Sequence, residues 1–325
     1  MKLLGGDIGG THSRLLLAEA SGDKRTTLCE HHYRNDDFKD LISVLDAFCH
    51  KAGVSKPLDQ SCIAVAGPIT ARTGNQQVQL TNRPWSFTSG AVSAVLCGTP
   101  TAFINDFEAI GWGLPLLESR ETTTLQTGNC DPQAPYAALG AGSGLGTVVA
   151  LTGKNGWQVI PSEGGHTDLG PGNDDELLLL EALWEHYGHA SWERLVSGPG
   201  LEFIYRTLDD RSSGTATPLS APEISRAGME NRDATAVAAL RTFCRLYGAQ
   251  AGNLALTVLP RGGLFLAGGI APQVLKPPFV AEFMDRFLDK GRMRHLLERI
   301  PVQLVTSQRT GLLGAIHCAQ TLVNR

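Results

Sequence analysis

The sequence predicts an α/β protein built as two lobes, on three observations. Apolar runs of strand length alternate with stretches whose apolar residues recur at helical spacing. Glycine-rich turns follow directly on apolar runs at three places, over 5–11, 140–146 and 268–270. At 325 residues the chain is long enough to divide into two domains rather than enlarge one core, and two lobes imply a cleft.

The first stretch, Leu3-Leu4-Gly5-Gly6-Asp7-Ile8-Gly9-Gly10-Thr11, runs on to Leu15-Leu16-Leu17 and reads as a β-hairpin. Its glycines let successive N–H groups converge on a phosphate, and Asp7 offers a charge to a phosphate-bound Mg²⁺. The plain alternative is an ordinary hairpin turn. Residues 27–34 are expected to add a third strand. Phe38, Leu41, Ile42, Leu45 and Phe48 share one face of a helix over 37–52, ended by Gly53. The run 61–66 stops at Gly67-Pro68 and reads as a buried strand reached by a helical crossover, hence parallel. A short strand over 77–80 precedes the turn Thr81-Asn82-Arg83-Pro84-Trp85, and 90–97 reads as a short helix. The strand over 101–104 then delivers Asn105 and Asp106 to the carboxyl edge of a sheet, where ligands of open α/β sheets bind.

From Tyr136 the opening layout returns, with an apolar run, a glycine turn and a second apolar run over 147–151. That similarity of layout suggests two related lobes. Glu163-Gly164-Gly165-His166 and Gly170-Pro171-Gly172 belong to an irregular loop region. Asn173 caps a helix through 177–187, and Asp174, Asp175 and Glu176 are read as capping acids only. Residues 191–195 and 200–208 read as helical around a Ser197-Gly198-Pro199 break, and 211–219 as a flexible surface loop. A long helix is expected over 234–259. The strand over 263–267 meets the third glycine turn, Gly268-Gly269-Ile270. Helices over 279–288 and 292–298, a strand over 302–305 and a last helix over 311–322 complete the chain, the last expected to return to the first lobe.

Composition excludes several classes. A formal net charge of −4 gives no basic field for nucleic acid. Seven cysteines, an odd number without a C-x-x-C pair, argue against a disulfide framework and a structural zinc. With no bilayer-length apolar run and no leader pattern before the first strand, a cytoplasmic location is expected. The second glycine turn leads into a strand rather than a helix, which rules out a dinucleotide fingerprint. Neither a G-x-x-x-x-G-K-[ST] loop nor the protein-kinase H-R-D and D-F-G signatures occur. What remains is a fold that holds a nucleoside triphosphate between two hairpin turns, one from each lobe.

With these letters the arrangement resembles the actin, Hsp70 and sugar-kinase superfamily, and within it the bacterial glucokinase family. Gly6-Asp7-Ile8-Gly9-Gly10-Thr11 resembles its first phosphate motif, Ile104-Asn105-Asp106-Phe107 its catalytic segment, and 140–146 its second phosphate turn. Glu163-Gly164-Gly165-His166-Thr167-Asp168, then 193–201, then Ala267-Gly268-Gly269-Ile270 follow in the family's order along the whole chain. The resemblance implies a two-lobed actin-like, ribonuclease-H-like α/β fold, with a small domain over 1–115 and 307–325, a large one over 116–306, and a cleft between them. It implies a glucokinase that phosphorylates the 6-hydroxyl of D-glucose with ATP, with Asp106 as general base and Asn105, Glu163, His166 and Glu193 around the sugar. Asp7, Gly9, Gly10, Thr11, Gly142, Ser143, Gly268 and Gly269 are implied for ATP, with Mg²⁺ at Asp7, directly or through water. A homodimer is implied too, and neither nucleic acid nor membrane is an expected partner.

Rival readings are a kinase for mannose, fructose or an amino sugar, a non-phosphorylating sugar regulator, and an actin-like ATPase acting on proteins. The regulator's usual helix-turn-helix is not expected, since six residues precede Asp7, and no zinc-type cysteine cluster follows Gly165-His166. Residue by residue, plainer roles compete as well. Asp106 would serve as a cap for a helix over 107–114, His166 as an interior histidine, His186 and His189 as a helix end, and the five tryptophans as core or boundary residues. Asp168 is read as structural or as a support behind the site residues. Two letters depart from the family: His12 stands where Asn is usual, and Ser143, which keeps the hydroxyl, where Thr is common.

Overall fold

The computed structural model describes the chain apart from residues 23, 73, 74, 154, 155, 213–217 and 325. It separates into two compact units, one of Met1–Glu118, Gln158–Pro161 and Ser307–Arg325, the other of Ser119–Trp157 and Ser162–Thr306.

In the first unit, β1 (Lys2–Ile8), β2 (His12–Ser21), β3 (Lys24–Arg34), β4 (Gln60–Val65) and β8 (Thr101–Asn105) form a sheet ordered β3-β2-β1-β4-β8. The hairpin pairs are antiparallel, whereas β4 runs parallel to both β1 and β8. A small sheet joins β5 (Ile69–Arg72), β6 (Asn75–Gln79) and β7 (Ser86–Thr88). Helix α1 (Leu41–Ala52) starts four residues later than its apolar pattern suggests. Asp40 and Ser43 close a capping box there, the Asp40 carboxylate accepting from Ser43 N at 2.8 Å, and Asn35–Asp37 forms a separate 3₁₀ turn. Leu41, Val44, Leu45 and Phe48 bury that helix face against Ile63, Val65 and Leu15. Helices α2 (Ser89–Val95) and α3 (Asp106–Gly113) follow.

The C-terminal helix, Thr310–Val323, belongs to this unit and packs on β1 and α3. It crosses α3 glycine to glycine: a Cβ on Gly314 would strike the Ala109 carbonyl, and one on Gly113 the Thr310 carbonyl. Gly314→Ala is therefore expected to destabilise by about 1–3 kcal/mol, read from the denaturant midpoint, because neither backbone can give way. At the same crossing His317 donates Nδ1–H to the Trp112 carbonyl at 2.8 Å. Burial holds its imidazole below the usual histidine range, against the pull of that carbonyl. The unfolded chain then binds the proton more tightly, so the stability gained by keeping His317 neutral is full above about pH 6.5 and is lost as pH falls toward the lower folded value. Melting curves between neutral and mildly acid pH should show a shallower acid loss in His317→Gln than in the native protein.

A six-stranded sheet is formed by β9 (Thr122–Gln126), β10 (Tyr136–Ala141), β11 (Leu145–Gly153), β12 (Gly156–Ser162), β13 (Gly263–Ala267) and β14 (Val302–Val305), ordered β12-β11-β10-β13-β14-β9; it belongs to the second unit except for Gln158–Pro161 of β12. Its first five strands repeat the order of the first sheet, three consecutive strands followed by two parallel ones. The layout shared by the two glycine-turn stretches is thus a shared topology. Helices α4 (Asp174–Tyr187), α5 (Gly198–Ser212), α6 (Ala221–Met229), α7 (Ala234–Val258), α8 (Ala271–Val274), α9 (Phe279–Leu288) and α10 (Arg294–Leu297) surround a core that includes Phe243, Tyr247, Phe283 and Phe287.

Several elements differ from expectation. Strand β9 is the polar run Thr-Thr-Thr-Leu-Gln, paired only with β14 at the sheet's edge, where no apolar alternation is required. Helix α6 is short and opens on a Ser220–Glu223 capping box that reads locally as loop. Of the loop expected over 211–219, residues 213–217 lie outside the described residues, and α5 extends through 212. Glu176 is no simple capping acid: it is buried, and Arg286 Nη2 meets its Oε2 at 2.9 Å. Trp184 is more than half exposed, whereas Trp85, Trp112, Trp157 and Trp192 are buried.

Candidate active site

In the first unit the β-sheet register aligns the proposed catalytic and phosphate groups. Ile8 pairs with Val65 and Val65 with Asn105, so the ends of β1, β4 and β8 form one row at the carboxyl edge. Two strand spacings, about 10 Å, separate the first and last of these. The glycine turn leaves one end of the row and Asp106 the other. Asn105, not Asp106, caps α3: its Oδ1 accepts from Phe107 N at 2.8 Å and Glu108 N at 3.4 Å. Asp106 is the first helical residue, its Oδ1 accepting from Phe107 N at 2.8 Å. The capping role that competed with catalysis at Asp106 is thus filled by its neighbour.

Asp7 lies one residue back from the row. Burial raises its carboxyl above the usual range, and Arg14, whose Nη1 is 3.4 Å from Oδ2, pulls it back down. The turn is closed by Gly9 N donating to His12 O at 3.0 Å. His12 contributes this carbonyl, and its side chain is exposed.

In the second unit the turn over Gly142, Ser143 and Gly144 is closed by Gly142 N to Gly144 O at 2.8 Å. The third turn lies against it, Ile270 N reaching Ala141 O at 3.3 Å. Gly268 has φ 83° and faces that same carbonyl so closely that a Cβ would sit 2.5 Å from it; conformation and space both call for glycine. Gly142, Ser143, Gly268 and Gly269 are thereby gathered at the ends of β10 and β13.

Glu163, His166 and Glu193 also come together. His166 Nε2 stands 3.9 Å from Glu163 Oε2 and 3.8 Å from Glu193 Oε1, charge contacts rather than hydrogen bonds. His166 is 60% exposed, so it is open to a ligand and is not an interior histidine. Glu193 Oε2 accepts from Leu145 N at 2.8 Å, tying this cluster to the second glycine turn. Asp168 pairs instead with His189 at 3.8 Å. Asn105 and Asp106 belong to the first unit and these three residues to the second. Among the described residues no group of three or more His, Cys, Asp or Glu is arranged to hold a metal ion.

Sequence reasoning missed the residues that hold these loops. Thr147 accepts from Gly164 N at 3.0 Å, Gln250 donates to Gly164 O at 3.2 Å, and the Ser197 hydroxyl donates to Glu193 O at 2.7 Å. In the first unit Asn35 and Arg83 bind the glycine turn from behind. Of these residues Ser197 alone lies in a motif, the stretch 193–201; Arg83 stands in a segment legible only as a turn.

A family model described as glucokinase matches residues 4–322. The chain belongs to the glucokinase family. A glucokinase of Nostoc sp. is 38% identical over 343 residues, covering 98% of this chain and 99% of that one. The solved glucokinase of an Antarctic psychrotroph has a TM-score of 0.86 at 33% identity, with 98% of each chain covered. A glucokinase of Balamuthia mandrillaris, solved in complex with glucose, shares the fold at a TM-score of 0.78 and 24% identity over 98% of this chain and 93% of that one. Fold class and family thus stand as the motifs implied: an actin-like α/β sugar kinase of the glucokinase family.

Proposed function

We propose that this glucokinase transfers the γ-phosphoryl group of ATP to the 6-hydroxyl of D-glucose with Asp106 as general base. The observation that carries the proposal is the row Ile8–Val65–Asn105 at the carboxyl edge of the first sheet, with Asp7 one residue before it and the glycine turn and Asp106 leaving it directly at its two ends. Asp106 accepts the hydroxyl proton as the sugar oxygen bonds to the γ-phosphorus and the bond from that phosphorus to the β,γ-bridging oxygen breaks. Glucose 6-phosphate and ADP result. Gly10 and Thr11 hold phosphates through backbone N–H groups and Ser143 does so from the second turn, while Gly9 and Gly142 spend theirs on closing the two turns and let the backbone approach the phosphates; Gly268 and Gly269 lie by the adenosine.

Asn105 spends its Oδ1 on α3, so its share in sugar binding falls to the Nδ2 donor. Glu163, His166 and Glu193 supply acceptors and donors for hydroxyls that each give and take a hydrogen bond. Mg²⁺ suits Asp7, because that ion is held by one or two carboxylates together with substrate phosphates rather than by a full protein cage. Bound there, it neutralises charge on the transferring phosphates. No helix among the described residues is long and apolar enough to cross a membrane, and the cytoplasm is the compartment we assign. The homodimer implied by the family resemblance is read out by light scattering.

Initial rates of ADP release with glucose, mannose, fructose and glucosamine test the substrate. Glucose is expected to give the highest kcat/KM; a higher value for another hexose would make the chain a kinase for that sugar. Glu193→Gln keeps an acceptor for Leu145 N–H but loses the carboxylate charge, so the KM for glucose should rise about tenfold with the melting point unchanged. An unaltered KM would remove Glu193 from the sugar site.

A further inference from the structure

We infer that Asn35 and Arg83 form a clamp that sets the first glycine turn for phosphate binding, a positioning role that rests on the reading of that turn as an ATP site. Asn35 is fully buried just beyond β3. Its Nδ2 donates to the carbonyls of Gly9 at 2.8 Å and Gly10 at 3.2 Å, and its backbone N–H donates to Thr11 O at 2.9 Å. One residue therefore gathers the three successive carbonyls of the turn. Its other side-chain polar atom, Oδ1, accepts from Ser13 Oγ at 2.7 Å, which fixes the amide against rotation.

Drawing the carbonyls to one side leaves the amides for the other. Gly9 N–H is used by His12 O, while the N–H groups of Gly10 and Thr11 meet no protein acceptor among the described residues. Those two are the donors left for an anion.

Arg83 locks the arrangement. Nη1 donates to Gly10 O at 3.3 Å and to Asp36 Oδ1 at 2.9 Å, and Nη2 donates to Asn35 O at 2.8 Å. The guanidinium also lies 4.6 Å over the Trp85 ring. Such a fork holds several acceptors in fixed directions at once, which a lysine ammonium does not. The turn's carbonyls thus face a cation and a buried amide, and a nucleotide meets a loop whose donors are already oriented. A small misplacement of positioning groups costs up to about a hundredfold in enzymes.

Steady-state kinetics at varied ATP, with glucose saturating, test the clamp on three variants. Arg83→Met should raise the KM for ATP about tenfold to a hundredfold, leaving the KM for glucose and the melting point unchanged. Arg83→Lys should recover only part of the loss, because it restores a charge without the fork. Gly9→Val examines the turn itself, since the nearest atom to a Cβ there, His12 O, is 3.6 Å away and the backbone need not move. If Gly9→Val raises the KM for ATP and Arg83→Met leaves it at the native value, the clamp is overturned while the phosphate reading stands. If neither variant moves it, both fall. Full recovery by Arg83→Lys would also overturn the clamp, reducing Arg83 to a charge.

Discussion

Asp106→Asn is expected to lower kcat by about 10²–10⁴-fold, with glucose binding retained. The substitution leaves the local structure alone. Asparagine has the same shape and keeps an oxygen to accept from Phe107 N–H, and the cap of α3 is made by Asn105, which is untouched. Loss of a negative charge in the first turn of α3 should cost only about 0.3–1 kcal/mol of stability. The proton acceptor, by contrast, is gone. Stopped-flow or steady-state rates together with glucose titration by calorimetry separate the two effects. A near-native kcat would assign the base elsewhere.

Arg286→Met should cost about 3–5 kcal/mol in the unfolding of the second unit. Glu176 is 1% exposed, and Arg286 is its charged partner; the Gly172 N–H at 2.7 Å and Asn173 Nδ2 at 3.2 Å supply the rest of its hydrogen bonds. With the guanidinium removed, the carboxylate keeps those two donors but loses the charge in direct contact with it, and Lys290 acts on it only at longer range. Pairing the change with Glu176→Leu should restore most of the loss, since two apolar side chains of similar volume need no partner. Chemical denaturation of the native, single and double variants measures this. A single variant as stable as the native protein would show that the pair contributes little.

The glycine turns and Asp106 were legible because each departs sharply from its surroundings: paired or alternating glycines after a strand, or two polar residues at a strand's end. The order of elements was legible for the same reason, as in the apolar spacing from Leu41 to Phe48. What could not be read were pairings made across long sequence separations. Glu176 looks like any first-turn acid until Arg286, 110 residues later, folds beside it. Asn35 and Arg83 carry no periodicity, and their role exists only once β3 and the segment after β6 converge on the turn. Strand β9 escaped because an edge strand needs no apolar face. The choice between Asn105 and Asp106 as cap is decided by side-chain rotation, which spacing does not encode.

The most direct measurement is ³¹P NMR of the native protein incubated with ATP, Mg²⁺ and glucose. Glucose 6-phosphate and ADP should accumulate in equal amounts and only when glucose is present. Release of inorganic phosphate at a rate indifferent to glucose, or a phosphate ester on another hydroxyl, would contradict it.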